Sequence, residues 1–442
     1  MSRPLRIAGQ AARILMPSPS GWITVLGDRQ GGGYAPPPPT DVTADDRADL
    51  VFPRRAPVPP SGPVRNVTTL GSQTLNRATI PADGSVTSLT KHVLTVDVTS
   101  IRLAWEVTGG WFTAESGGTY RMWIEGAGLT APLPLTFGGA SSVTVEPPSA
   151  GARTYTTDPV AVSWIAGDRI TVGVEVVAAA GTTVPADSTG RRAGVDPELG
   201  EASIRPSRIE AASNKTAWVV IGDSIAQQPY SYGEQALARK NLAAVKSAIG
   251  GDGYGYWNAG AGGVSYTNRV SRHAPYATHL MDTLGMNDRS TTNALATWRY
   301  IRRNSSLRIV KTTVNPDSKD RDFATTTSSR EPSRHQFNEW LRDGAPILAD
   351  WSAPLPTGST DPNAVRCTVV SYDGSTVTTR NQGHVLDAVS DAAAAVEQSR
   401  TNPVYSDEAL ALIGAGDSLH PAPGVHKLMA ERIMADLTKL GH

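Results

Sequence analysis

At 442 residues the chain exceeds what one hydrophobic core ordinarily serves, so two domains with connecting segments are expected. Its 41 basic and 41 acidic residues balance, which argues against an electrostatic nucleic-acid or anionic-membrane partner, and 39% hydrophobic with 19% charged residues reads as soluble and globular. A single cysteine, Cys367, excludes an intrachain disulfide framework and a cysteine-rich metal site, and reads as a small buried hydrophobe.

The first 64 residues differ from the rest. Gly31-Gly32-Gly33, Pro36-Pro37-Pro38-Pro39 and Pro57-Val58-Pro59-Pro60 describe an extended arm that cannot bury a core. The clusters Ile14-Leu15-Met16 and Trp22-Ile23-Thr24-Val25-Leu26 favour an arm that orders on a partner, a larger assembly or oligomer, over a leader without structure. As a secretory signal the N-terminus is poor, because Gln10 and Arg13 interrupt its apolar region and Pro17 ends it. Its Arg-rich, acid-free start bears a loose resemblance to a transit peptide. No stretch approaches the roughly eighteen apolar residues of a membrane span. The best, Val160 to Ala180, is broken by Asp168, Arg169 and Glu175. A virion-associated or cytoplasmic location is the resulting expectation.

Residues 65–205 are β-patterned. Leu94–Val98, Ile101–Val107, Tyr120–Ile124, Ser142–Val145, Val160–Trp164 and Ile170–Val174 alternate at period two, with Gly, Pro and Asp between them. That texture predicts an antiparallel sandwich or jelly roll, serving as a carbohydrate-binding or spacer domain. Trp105, Trp111 and Trp123 fit either its core or a sugar-stacking platform, and aromatic residues on alternating strands are more often core.

Residues 206–442 change period. An apolar strand at Ala217–Ile221 leads into Gly222-Asp223-Ser224 and a helical stretch with Leu237, Leu242, Val245 and Ile249 on one side. Further strands are expected at Tyr256–Asn258, His279–Leu284 and Leu307–Val314, with helices near 290–303, 333–342 and 424–440. Alternating strands and helices imply a parallel sheet covered on both faces. Within about 364–380, Arg366–Val370 and Ser375–Thr379 flank Tyr372-Asp373-Gly374, a hairpin signal that reads equally as a lid over a site or as a surface ornament.

Ser224 follows a strand and opens a helix. At the carboxyl end of a parallel sheet this exposes Oγ in the crevice where such folds bind ligands, beside the N–H groups of a helix start. A lone serine here is more commonly a helix cap, and no Gly-x-Ser-x-Gly elbow surrounds it. Asp417 and His420 are three residues apart, so one turn brings the carboxylate to the imidazole while Nε2 faces Ser224. His426 and His384 are rival bases, of which only His420 carries an Asp partner and a trailing proline. Asp320 and Asp322 read as a solvated cluster in an Arg/Lys-rich loop.

Four words thus stand in order: Gly222-Asp223-Ser224, Asn258-Ala259-Gly260-Ala261-Gly262-Gly263, Gly285-Met286-Asn287-Asp288 and Asp417-Ser418-Leu419-His420-Pro421. Together, over about residues 214 to 440, they resemble the four blocks of the SGNH (GDSL-type) hydrolase family. The resemblance implies a flavodoxin-like doubly wound α/β domain, with Ser224 as nucleophile, His420 as general base and Asp417 as its orienting partner. It also implies an oxyanion hole made by the N–H groups of Ser224 and Gly263 and the side-chain amide of Asn287. Gly262 stands where the family usually has serine. Asp288 then caps the following helix, and His426 matches the structural Gly-x-His that begins the family's last helix.

An ester hydrolase working through an acyl-enzyme follows, with neither metal nor organic cofactor. The adjoining β domain points to a carbohydrate esterase that removes O-acetyl or similar small acyl groups, built in a manner suited to a phage tail or virion appendage. Two alternatives stand beside it: a catalytically silent receptor- or glycan-binding protein, and a lipase or thioesterase. The latter needs an apolar groove that the region of Pro354, Pro356 and Gly358 does not obviously supply. An acylated glycan or other small ester is the expected partner, with no nucleic acid and no membrane.

Overall fold

The computed structural model describes residues 14–18, 21–25, 56–58, 61–69, 71–72, 76–107, 117–147, 153–186, 204–228, 231–257, 267–316, 331–379, 383–403, 405–413 and 420–442. Within the expected arm, Ile14–Ser18 and Gly21–Val25 pair as an antiparallel ladder.

The β-rich part comprises two five-stranded antiparallel sheets. One runs Val143–Val145, Gly118–Gly126, Arg169–Val177, Ser85–Val93, with Leu133–Pro134 added to Gly118–Gly126. The other runs Arg153–Thr156, Val98–Val107, Arg208–Ala212, Val64–Asn66, with Val160–Trp164 added to Val98–Val107. Alternation does what it should: Tyr120, Met122 and Ile124 point inward, and residues of both sheets share one buried cluster. Trp105 is in that cluster, edge-on to Tyr120 at 4.7 Å. Trp123 is on the opposite face of its sheet, over Gly173, where a Cβ would lie 2.0 Å from the indole.

The strand expected at Leu94–Val98 is instead a corner between Ser85–Val93 and Val98–Val107. The Asp97 carboxylate holds it by accepting the N–H groups of Val58 (2.8 Å) and Ala166 (3.0 Å). A carboxylate that takes two backbone donors favours a bend over a continued ladder.

The second part is built on an eight-stranded sheet. Its order is Val377–Thr378, Thr368–Val370, Ala388–Ser390, Arg308–Thr312, His279–Asp282, Ala217–Gly222, Ala243–Ala248, Gly71–Ser72. Every pairing is parallel except that of Val377–Thr378. All six residues of Ala217–Gly222 are buried, as expected of a central strand covered on both faces. The helices Thr291–Asn304, Glu331–Arg342 and Pro423–Lys439 form close to where the sequence places them.

Two assignments change. The helical stretch expected through Ile249 stops at Arg239, and Ala243–Ala248 is a fully buried strand. Such a strand shows no alternation, so the helical spacing of Leu242, Val245 and Ile249 was coincidental. Tyr256 and Trp257 belong to the short helix Tyr254–Trp257, not to a strand.

The hairpin forms, with Gly374 at φ +71 in its turn, and Thr368–Val370 pairs parallel with Ala388–Ser390. It is therefore the edge of the main sheet rather than an appendage, its inner strand four positions and its outer strand five from Ala217–Gly222. Arg432 ties its turn to the last helix by donating to the Ser371 and Tyr372 carbonyls.

The two parts interlock in the chain. Arg208–Ala212, beyond the expected boundary at 205, completes a β-rich sheet, while Gly71–Ser72 joins the edge of the parallel sheet. Among the described residues no helix is long and apolar enough to cross a membrane.

Candidate active site

The strand Ala217–Gly222 delivers the chain to Asp223, which is extended (φ −94, ψ −156) and caps the helix Ser224–Gln227. One Asp223 oxygen accepts the Ile225 N–H at 3.0 Å, and the other accepts the Met286 N–H at 3.2 Å. This buried carboxylate thereby joins the first word to the third. Burial pushes its pKa up to about 6 against the opposing pull of those two donors. Gly222 is required by space: a Cβ there would meet Thr283 Oγ1 at 2.2 Å and Ala226 Cβ at 2.3 Å.

Ser224 is half-buried, and its Oγ lies 2.9 Å from His420 Nε2. The two are 196 residues apart in the chain, and the contact is made just ahead of the helix Pro423–Lys439. Oγ–H donates to Nε2 when the imidazole proton sits on Nδ1. Asp417, the expected holder of that proton, lies outside the described residues, as does the word Asn258–Gly263 with Gly263.

Asn287 is placed by Gly285, whose φ of +130 and 2.6 Å approach of a virtual Cβ to Val314 admit only glycine. Its Nδ2 donates to the Asp252 carbonyl at 2.9 Å. A carbonyl can only accept, so this bond settles which end of the amide is nitrogen and leaves a second N–H to offer. The Gly250–Gly253 turn runs beside both groups. A Cβ on Gly250 would lie 3.7 Å from Ser224 Cβ, and one on Gly253 3.6 Å from Asn287 Cβ. Asp288 accepts from Ser290 N and Asn293 Nδ2, while Ser290 rather than Asp288 caps the helix Thr291–Asn304.

The rival histidines are engaged elsewhere. His426 Nδ1 accepts the Tyr232 N–H at 3.2 Å and its Nε2–H donates to Gln228 Oε1 at 3.1 Å. Burial first, then the charges of Lys246 and His420, lower its pKa to about 3, so it is neutral across ordinary pH. His384 is buried, with Nε2–H donating to the Ala345 carbonyl (2.8 Å) and Nδ1 accepting from Leu386 N (2.9 Å). Asp320 and Asp322 are outside the described residues.

Sequence reasoning missed the buried charges below the site. Asp252 accepts from Arg269 and from the Trp257 indole, and Arg269 also reaches the carbonyls of Gly222 and Ser247. Lys311 donates to the Leu284 carbonyl at 2.5 Å, and Asp282 accepts from Tyr254 (2.8 Å) and Trp298 (2.7 Å). Lys246 donates to the Gln227 and Gln228 carbonyls at the end of the helix Ser224–Gln227, and pairs with Glu234 at 3.2 Å. The available signal was a lysine inside an otherwise apolar run, Ile309-Val310-Lys311 and Ala244-Val245-Lys246. Among the described residues no group of three or more His, Cys, Asp or Glu side chains converges as a metal site.

No protein-family model matches the chain, and no curated protein does. Among solved structures it is similar to a carbohydrate esterase family 2 enzyme plus carbohydrate binding domain from Corynascus thermopiles (Myceliophthora fergusii). That likeness has 13% identity, covers 86% of this chain and 100% of the other, and gives a TM-score of 0.34. A G-D-S-L family structure from Desulfitobacterium hafniense matches at 13% identity over 50% of this chain and 98% of its own, TM-score 0.32. The C-terminal catalytic domain of Streptococcus pneumoniae peptidoglycan O-acetyltransferase A matches at 14% identity, over 51% and 96%, TM-score 0.28. All three lie below 25% identity and below a TM-score of 0.5, so the functional reading is built on the residues around Ser224.

Proposed function

We propose that the chain is a serine ester hydrolase of the SGNH type, a β-sandwich preceding a flavodoxin-like doubly wound domain, that removes small acyl groups from a carbohydrate. The observation that carries this reading is the 2.9 Å contact of Ser224 Oγ with His420 Nε2 at the carboxyl end of a central parallel strand.

In this mechanism His420 takes the Ser224 proton as Oγ attacks the acyl carbonyl, and Asp417 holds the Nδ1–H tautomer. The oxyanion receives the N–H groups of Ser224 and Gly263 and the Asn287 amide. The alcohol leaves with the proton from His420. Water, activated by the same imidazole, then releases the acid and restores Ser224.

The carbohydrate part of the proposal draws on the β-rich half. Trp105 is spent on the core, Trp111 lies outside the described residues, and Trp123 is the member of the trio on an outer sheet face. It is flanked there by Glu125, which accepts from its indole N–H at 3.1 Å, and it offers a ring to a sugar. The N-terminal ladder Ile14–Ser18/Gly21–Val25 is our candidate anchor to a larger assembly such as a virion tail. Removing residues 1–64 should then release the enzyme from that assembly.

Hydrolysis of p-nitrophenyl acetate and butyrate by the full chain, beside Ser224→Ala, tests the reaction. Activity confined to the parent, with acetate preferred and acetate released from O-acetylated polysaccharide, supports the proposal. Equal activity in Ser224→Ala removes it.

A further inference from the structure

We propose that Arg269 is a positioning residue for this reaction, which sets the nucleophile turn and the Asn287 amide through one buried ion pair with Asp252. The inference rests on the serine-hydrolase reading above, and Arg269 belongs to none of the four words that suggested it.

The geometry is specific to a guanidinium. Arg269 is buried within the π-type turn Thr267–Ser271. Its Nη2 donates to the carbonyls of Gly222 (3.2 Å) and Ser247, the last residue of one central strand and the penultimate residue of its neighbour. Nε reaches Ser247 Oγ at 3.4 Å, while Nη1 pairs with the Asp252 carboxylate. The Trp257 ring lies 5.0 Å from the guanidinium carbon, and its indole N–H donates to the same Asp252 oxygen at 3.1 Å.

Two consequences meet at the site. The Gly222 carbonyl is one residue before Asp223 and two before Ser224, so fixing it fixes the approach of the nucleophile turn. On the other side, Asp252 is buried and accepts the Gly253 N–H at 3.0 Å, while its own carbonyl accepts from Asn287 Nδ2 at 2.9 Å. The orientation of the oxyanion amide thus depends on where Asp252 is held. A lysine has its three donors on one nitrogen, which cannot stand at both the Nη1 position facing Asp252 and the Nη2 position facing Gly222 and Ser247, so it does not reproduce this fork. Displacements of about 1 Å at a reacting centre cost on the order of 10²-fold in rate.

The test is a double-mutant cycle in the full chain with p-nitrophenyl acetate, folding checked by thermal melting. Arg269→Lys should lower kcat by about 10- to 100-fold with KM within about twofold. In an Asn287→Ala background the same change should cost several-fold less than in the parent, because its route through the amide is gone and only the route through the Gly222 carbonyl remains. A full multiplicative loss in that background, a loss confined to KM, or a silent Arg269→Lys overturns the proposal. If Arg269→Lys does not fold, Trp257→Phe removes one donor to Asp252 and should still lower kcat by about 3- to 10-fold, and an unchanged kcat there also overturns it. Ser224→Ala separates the two levels. Hydrolysis that survives it ends the serine reading itself, and the positioning role with it. Hydrolysis abolished by Ser224→Ala but indifferent to Arg269→Lys and Trp257→Phe ends the positioning role alone.

Discussion

The Met286 N–H donates to the Asp223 carboxylate at 3.2 Å, so the turn that carries Ser224 and the turn that carries Asn287 are one hydrogen-bonded unit. The carboxylate that makes this link is buried, and burial raises its pKa from 3.8 to about 6. For an acid whose folded pKa is raised, the associated stability is complete below the unfolded pKa and is lost as pH rises through the folded one. Between pH 3.8 and about 6 this group therefore removes about 3 kcal/mol from the folded state. Asp223→Asn abolishes that slope, and urea midpoints for parent and variant at pH 4, 5, 6 and 7 measure it. The variant also loses hydrolysis by about tenfold or more, since its NH2 must face one of the two backbone donors.

His420 and His426 should separate cleanly in kinetics. His420→Gln removes the imidazole that contacts Ser224, the proposed base, and should cost about 10³- to 10⁴-fold in kcat. His426→Gln should stay within about tenfold of the parent, because its ring serves Tyr232 N and Gln228. The distinctive effect of His426 is on acid stability. Its folded pKa is lowered to about 3, so its stabilisation is intact above about pH 6.5 and is lost as pH falls toward 3. Chemical denaturation at pH 6.5 and pH 4 should show the parent losing about 3 kcal/mol more than His426→Gln.

How much of this was legible in the sequence varies with the kind of residue. Ser224, Asn287 and His420 sit in short words whose residue types are demanded by chemistry, so they could be picked out before any contact was known. Of these, the structure joins Ser224 to His420 directly and places Asn287 across the Gly250–Gly253 turn. The Arg269–Asp252 pair was invisible, because its meaning lies in three acceptors supplied by separate stretches of chain. The strand Ala243–Ala248 was misread because burial on both faces erases the period-two signal. The corner at Asp97 was missed because β-prone residues continue through it, and the side-chain acceptor that bends the chain receives its donors from distant residues.

The glycine of the first word makes its own prediction. In Gly222→Ala the added methyl would fall 2.2 Å from Thr283 Oγ1 and 2.3 Å from Ala226 Cβ. Thr283 cannot swing away without giving up its 2.8 Å bond to the Ile221 carbonyl, so the helix Ser224–Gln227 must shift instead. Overpacking of this kind costs about 1–3 kcal/mol, and the shift carries Ser224, the first residue of that helix. A melting temperature lowered by a few degrees together with a kcat drop of at least about tenfold is expected. Parent-like kcat in a destabilised protein would show that the helix moves without moving Oγ.

The junction between the two parts should be felt around Ser224. Arg208 is buried, ion-paired with Glu106 Oε1 (2.8 Å) and Glu210 Oε1 (2.9 Å), hydrogen-bonded to His273 Nδ1 (2.7 Å), and lies 4.2 Å over the Tyr276 ring. Arg208→Met strands buried carboxylates that Arg102 and Arg272 only partly serve, which should cost about 3–5 kcal/mol. His273 and Tyr276 follow Arg269 closely in the chain, on the segment that holds Asp252 and the Gly222 carbonyl. Loosening the β-rich half should therefore lower kcat in molecules that remain folded, and calorimetry beside initial rates below the transition measures both effects. A large stability loss with an unchanged rate would mean that residues 267–271 are held by the parallel sheet alone, and that the β-rich half contributes nothing to the geometry around Ser224.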